Sequence, residues 1–387
     1  MAQRPSRSFR IRLGLFLGTL ILALAAFEGI CRLAGVDFNP NPNWRFHSLL
    51  GWTQERSVQY DIRISGDPVH IEFNSMGFRD LEHRLEKPDS VRRVVVIGDS
   101  FSEALQVNLE ETYWHQLQTL LNQSHPQTRW EVINLGVGDF GTAQAWLALT
   151  EFGLRYSPDL VISQIFPLND ICNNTLELAG LCKSQNDFSR PYFVEASNGL
   201  ELTWAQPVRH RLRSNLVSFG LLEKAYTLVR RQAQGQTVDE LHSARIADRQ
   251  FPGDPLLSTF AQQDDQIEPI ATGWRITEKI LEDTHSLCRS RGIGWMAVVI
   301  PFEARVGPGW NNFALSYPGM KMVQDYPEQR LGRLFDRLGA PAVFLKPVFE
   351  EHLDIFFPGR GGHLNPSAHA LAAQAIHDQI VHSGLDQ

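Results

Sequence analysis

The segment VRRVVVIGDSFSEA, residues 91–104, constrains this chain most, because it runs an apolar strand straight into a tight turn that carries a serine. Residues 94–97 are four consecutive apolar side chains, three of them valine, which suits a central parallel strand covered on both faces. Gly98 lets the chain turn at the strand's C-terminal end, where open α/β sheets place their chemistry. Ser100 is therefore a candidate nucleophile. A Gly-Asp-Ser tripeptide is also an ordinary turn and helix N-cap sequence, so the local pattern alone leaves both readings open. In either case Asp99 reads as a carboxylate that ties down the turn's own backbone donors.

The pattern downstream alternates strand and helix. Strands are predicted near 94–97, 130–134, 160–166, 294–300 and 342–345, with helices near 110–123, 142–156, 268–291 and 325–338 and a last one after His363. This βαβ succession predicts a parallel sheet flanked by helices. An insertion at about 171–265 interrupts it, with a predicted hairpin in RPYFVEASNGLELTW, a helix-like LVSFGLLEKAYTLVRR and a polar stretch from 232 to about 265. The insertion leaves at the end of a strand and is expected to act as a lid or substrate-selecting subdomain, with a peripheral decoration as the alternative. The stretch VGPGWNNFALSY reads as a loop reaching the same rim, in which Trp310 either packs or offers a ring to a ligand.

Ahead of this unit, residues 1–12 carry Arg4, Arg7, Arg10 and Arg12 and no acid, and an uncharged run from 13 to 27 follows. That order reads as an export signal. Fifteen residues at about 1.5 Å each cover roughly 22 Å, short of a hydrocarbon core of roughly 30 Å, so a span requires the helix to continue past Glu28 through Ile30, Cys31, Leu33 and Ala34. An uncleaved signal anchor is the favoured reading; Ala23-Leu24-Ala25 offers a cleavage site for the secreted alternative. The positive-inside rule then puts everything after residue 36 on the non-cytoplasmic side, periplasmic or extracellular. Residues 37–90 read as a Pro/Asn linker, FNPNPNW, and a short β-rich lead-in with the turn signal NSMGFRD.

The formal net charge is −7, and setting aside the four arginines of the first twelve residues leaves −11, which argues against a nucleic-acid partner. Four cysteines with no paired CxxC spacing suggest neither a disulfide scaffold nor a zinc site. Cys288 reads as a small core residue. Cys172 and Cys182 fall in one short exported segment and are expected to form a disulfide, worth on the order of 2–3 kcal/mol for so small a loop.

Four blocks in order, GDSF at 98–101, INLGVGDFGTAQ at 133–144, FPLNDICNN at 166–174 and GGHLNPSAHALAAQAI at 361–376, together resemble the SGNH (GDSL-like) hydrolase superfamily, of the N-terminally membrane-anchored type, over residues 94–380. The resemblance implies a flavodoxin-like three-layer α/β fold, here with an N-terminal hydrophobic helix and the insertion added. It implies Ser100 as nucleophile and His363 as general base. The oxyanion hole would comprise the Ser100 N–H, an N–H of the Gly136/Gly138 pair and the Asn169 amide. Keeping Asn134 and Gly136 in register puts Asp139 where the family commonly has its oxyanion glycine, and a main-chain donor there would serve equally well. The family's last block usually has an aspartate two or three residues before the histidine, and here those places hold Gly361 and Arg360. Asp354 is the best upstream acid for a third member, against a Ser-His dyad in which a backbone carbonyl orients the base.

Imidazole suits the role of base because it titrates near neutrality. His363 directly precedes Leu364-Asn365-Pro366, a helix start with Asn365 as N-cap. His369, six residues on, is poorly spaced to share a metal with it and reads as structural, as does Asp170 beside Asn169. No cofactor is called for. The resemblance leaves three functions open. They are a serine esterase acting on acyl groups, acetyl first, of an envelope or extracellular carbohydrate or another small ester; an O-acyltransferase using the same residues beside polysaccharide-modification partners; and an inactive glycan- or partner-binding member, which the missing aspartate would favour.

Overall fold

A computed structural model describes residues 7–35, 44–181, 190–233, 268–307, 309–315, 322–352, 354–357 and 362–386. The chain divides into two compact units, residues 1–48 with 206–250 and residues 49–205 with 251–387.

The first unit is built on α1 (Arg7–Leu33), with a short strand β1 (Trp44–His47). Residues Gly14–Leu33 of α1 are long and apolar enough to cross a membrane. The expected continuation past Glu28 is therefore observed as unbroken helix.

The second unit opens with β2 (Gly51–Gln54) and the hairpin β3 (Gln59–Ile64) and β4 (Asp67–Glu72), the expected β-rich lead-in. The site-bearing elements follow as β5 (Val91–Ile97), α2 (Ser100–Glu103), α3 (Tyr113–Ser124), β6 (Arg129–Asn134), α4 (Thr142–Glu151), β7 (Leu160–Ile165), α5 (Pro167–Asn173) and α6 (Leu176–Leu181). The insertion supplies β8 (Pro191–Ala196), β9 (Gly199–Trp204), α7 (Pro207–Asn215) and α8 (Val217–Ala233). Then come α9 (Ile270–Ser290), β10 (Gly294–Val299), α10 (Gly309–Leu315), α11 (Tyr326–Leu338), β11 (Ala342–Phe344), α12 (Leu345–Glu350) and α13 (Pro366–His382).

Five strands form one parallel sheet in the order β6-β5-β7-β10-β11, which is the 2-1-3-4-5 order of a flavodoxin-like fold. Val94 and Val96 of β5, with Val132, Leu160, Ile162 and Met296, pack against Trp114 and Leu117 of α3 and Ala372 and Ile376 of α13. Val95 pairs beside Val161, which pairs beside Trp295, so these three share the opposite face, where His285 of α9 meets the Trp295 ring at 5.5 Å. Burial on both faces explains why these strands read as unbroken apolar runs. The strand order reverses between β5 and β7, and the crevice outside that switch point is where ligands bind in such sheets.

The insertion is shared between the units. Its hairpin belongs to the second, where Arg190 and Tyr192 are fully buried. Its helices α7 and α8 belong to the first. The segment expected as a loop around Trp310 is helical over Gly309–Leu315, and its residues 308, 316 and 317 lie outside the described residues.

Candidate active site

Ser100 stands at the first turn of α2, immediately after β5, and His363 stands just before α13. The two meet: His363 Nε2 and Ser100 Oγ are 2.9 Å apart. The imidazole stacks on Phe101, with centroids 4.9 Å apart and planes 23° from parallel, so the residue after the nucleophile holds the ring of the base. Asn365 caps α13 by accepting from the Ala368 N–H at 3.0 Å, and the Phe357 N–H donates to the His363 carbonyl at 2.9 Å, which fixes the histidine from both sides.

The turn itself is over-determined. Asp99 accepts from the Phe101 N–H through Oδ1 at 2.9 Å and donates its own N–H to Gln164 Oε1 at 2.9 Å. Ser102 Oγ bonds the same Gln164 oxygen at 2.9 Å and the Tyr113 hydroxyl at 2.6 Å. Gly98 is required for proximity more than for its dihedrals, because a Cβ there would lie 2.2 Å from Gln164 Oε1 and 2.7 Å from Ser102 Oγ. Buried Arg79 closes the far end by donating to the carbonyls of Glu103, Ala104 and Val107. The Ser100 N–H makes no hydrogen bond to any described residue.

Asn169 lies across the switch point, at the start of α5 after β7. One amide hydrogen goes to Asp99 Oδ2 at 3.0 Å, and Oδ1 is buried without a hydrogen bond. The second amide hydrogen is therefore available to a substrate oxygen. Burial raises the Asp99 carboxyl to about 6, against hydrogen bonds from Phe101, Asn169 and Gln164 that favour its charge. Asp170 accepts from the Thr142 hydroxyl and the Phe166 N–H, the loop-tying role expected of it, and burial lifts it well above the usual carboxylate range.

The second block differs from expectation. Gly136 donates its N–H to Asn134 Oδ1 at 3.0 Å, and Gly138 donates to Glu103 Oε2 at 3.0 Å. Both expected donors thus serve the protein's interior. Asp139, the alternative position in the second block, turns through the left-handed region at φ 63°. Arg190 grips it there, with Nη1 on the Asp139 carbonyl and Nη2 on Oδ2, both at 2.7 Å, while its guanidinium lies 4.8 Å from the centroid of the Trp52 ring. Asn173 adds a bond to the same carbonyl at 3.2 Å.

Asp354 does not meet the histidine. Its side chain is exposed, and its backbone carbonyl accepts from Asn365 Nδ2 at 2.5 Å. The antiparallel bridge Phe356–Leu364 sets the two segments in a register that pairs Phe357, and not Asp354, with His363. A different acid approaches this loop. Glu303, in the short turn after β10, would touch a Cβ on Gly362 with its own Cβ at 2.9 Å and its Oε2 at 3.2 Å, and Gly362 has φ 71°. The Glu303 carboxylate makes no hydrogen bond or ion pair to a described residue, and desolvation raises its pKa.

His369 is buried in the second core layer, accepts from the Tyr113 N–H at 3.2 Å through Nδ1 and is driven by burial to about 3, so it is a neutral packing residue. Cys172 is buried and disulfide-bonded, while Cys182 lies outside the described residues, as do Arg360 and Gly361. Cys288 is a free core thiol. Residues that sequence reading passed over are Arg190, Glu103 and Glu303. The signal for Glu103 was present, since an acid three residues after the nucleophile in a turn with no exposed side is unusual company; the other two come from distant segments.

No protein-family model matches the chain, and no curated protein matches it. Among solved structures it is similar to TesA, at 11% identity and a TM-score of 0.37 over 75% of this chain and 98% of that one. It is similar to the acetyl xylan esterase AlAXEase, at 13% identity and 0.38 over 74% of this chain and 99% of that one. A variant of Axe2, an acetylxylan esterase from Geobacillus stearothermophilus, aligns at 12% identity and 0.39 over 75% of this chain and 94% of that one.

Proposed function

We propose that the chain is a serine esterase, anchored by α1 with its α/β unit on the non-cytoplasmic side, that removes small acyl groups, acetyl first among them, from an envelope or extracellular carbohydrate. The observation that carries this reading is the 2.9 Å contact between Ser100 Oγ and His363 Nε2 beside an unengaged Ser100 N–H at the sheet's switch point. The resemblance of the four sequence blocks supports acyl chemistry, and the arginine cluster ahead of the apolar run supports export.

In this mechanism Ser100 Oγ attacks the acyl carbon while its proton passes to His363 Nε2. The carbonyl oxygen becomes an oxyanion, accepting from the Ser100 N–H, the free Asn169 amide hydrogen and the Asp139 main chain. Each such donor typically contributes about 2.7–4 kcal/mol of transition-state stabilisation. His363 then protonates the leaving alkoxide and the sugar departs. Water, losing a proton to the same Nε2, attacks the Ser100 ester, and the carboxylic acid leaves as Oγ recovers its proton. An acyl acceptor other than water would use every one of these groups.

The test is hydrolysis of a short-chain acyl ester by the full-length protein and by Ser100→Ala, His363→Ala and the double variant. The two residues act on one proton transfer, so each single variant should abolish turnover and the double should be scarcely worse. Full activity in either single variant would remove the mechanism. Release of acid only when a sugar is withheld, with acylated sugar when it is supplied, would show transfer instead.

A further inference from the structure

In the first unit, α7 and α8 each present a row of apolar side chains outward. Val208, Leu212 and Leu216 follow one another at spacings of four along α7 and its C-cap, and all three are exposed, Val208 at 75%. Leu222, Tyr226 and Val229, at spacings of four and three on α8, are 56%, 67% and 66% exposed. Each set occupies one helix face. Arg213 of α7 and Glu223 of α8 turn inward, while Arg211 of α7 is exposed. The Arg213 side chain is 4% exposed and lies 3.4 Å from Glu223 Oε2, whose side chain is 11% exposed, and Arg209 bonds the other Glu223 oxygen. The Arg213 guanidinium also lies 4.5 Å from the centroid of the Phe46 ring, and His210 is buried.

Water-soluble helices bury the apolar face and expose the charged one. The opposite arrangement fits a surface whose solvent is lipid, where charges must find partners inside the protein. The position of the two helices names the lipid. Glu28 of α1 accepts from the N–H groups of Val217 and Ser218 at 3.0 and 2.9 Å and from the Ser218 hydroxyl at 2.6 Å, which caps α8. Arg32 donates to the Asn215 carbonyl at 2.6 Å, at the end of α7. Glu28 lies five residues inside the end of the apolar span Gly14–Leu33, roughly 7 Å at 1.5 Å per residue. Interfacial helices bury their apolar faces about 5–10 Å into the boundary between headgroups and acyl chains.

We propose that α7 and α8 form an interfacial membrane element that lies in the bilayer boundary beside α1, with Leu222, Tyr226 and Val229 in the acyl region. The Glu28 cap fixes its depth, so the unit holds the membrane through three helices and not one. This rests on the reading of α1 as a membrane span.

The experiment uses the full-length protein in nanodiscs of phosphatidylcholine and phosphatidylglycerol. Nitroxide labels are placed singly through Leu222→Cys, Tyr226→Cys and Val229→Cys, with Leu20→Cys in α1 and Ser290→Cys as an aqueous control; the native free thiols are buried. Collision with oxygen is compared with collision with a water-soluble nickel chelate. The proposal expects the three α8 labels to resemble the α1 label, favouring oxygen, with the control favouring nickel. Nickel-accessible α8 labels beside an oxygen-accessible α1 label would overturn the interfacial element alone. Nickel access at all four would overturn the membrane span with it. Labels shielded from both reagents, with spin-spin broadening that disappears on dilution by unlabelled protein, would mean that a second copy covers this face, and would equally overturn the proposal.

Discussion

At the scale of single residues, Asp99, Glu103 and Asp170 are buried carboxylates around Ser100, and burial raises the pKa of each. Glu103 accepts from the Gly138 N–H and from the Gln54 amide in a dry environment, and burial raises it from an ordinary 4.5 to about 7. Between those pH values the folded chain holds a proton that the unfolded chain has lost. Stability is therefore full below about 4.5 and falls as pH rises towards 7. Glu103→Gln should remove that part of the slope, on the order of 2–3 kcal/mol, in urea unfolding at pH 4.5 and 7.5; identical slopes in the two proteins would contradict it. Asp354 tests the opposite kind of statement. Because its carboxylate is exposed and its register pairs it away from His363, Asp354→Asn should change kcat/KM by less than about tenfold, whereas loss of a true third triad member costs nearer 10⁴. A loss of that larger size would return Asp354 to the site.

At the scale of elements, the strand-turn-helix unit from β5 to α2 was legible because both ends are encoded locally, by four apolar residues and by Gly98. The three central strands β5, β7 and β10 were legible because burial on both faces leaves little polar alternation to confuse. What local sequence could not carry was the fate of individual N–H groups. Whether Gly136 and Gly138 face the substrate depends on Asn134 and on Glu103, a residue 35 positions away that folds back onto Gly138. The helix around Trp310 was missed because Gly-Pro-Gly ahead of it reads as a breaker. The reason for Gly98 was also misplaced: it makes room for Gln164 of β7, a contact 66 residues distant in sequence. Gly98→Ala should thus destabilise the fold by about 1–3 kcal/mol or more through overpacking, read as a lower urea midpoint at unchanged m-value. An unchanged midpoint would mean that the Gln164 contact is not a constraint.

At the scale of the whole molecule, the charge inventory, the long apolar N-terminal helix and the parallel α/β architecture could be read from composition and order, but the partition of the insertion could not. Arg190 ties the hairpin into the α/β unit through Asp139, while Glu28 ties α7 and α8 to α1, and neither ion-bearing contact has a signature in the local pattern. The proposed mechanism makes Ser100 a nucleophile activated by His363. It is tested most directly by the intact mass of the full-length protein after treatment with a fluorophosphonate. One phosphonyl adduct is expected, mapped to Ser100, absent in Ser100→Ala and strongly slowed in His363→Ala. An unmodified wild-type protein, or an adduct that persists at another residue when Ser100 is replaced, would contradict it.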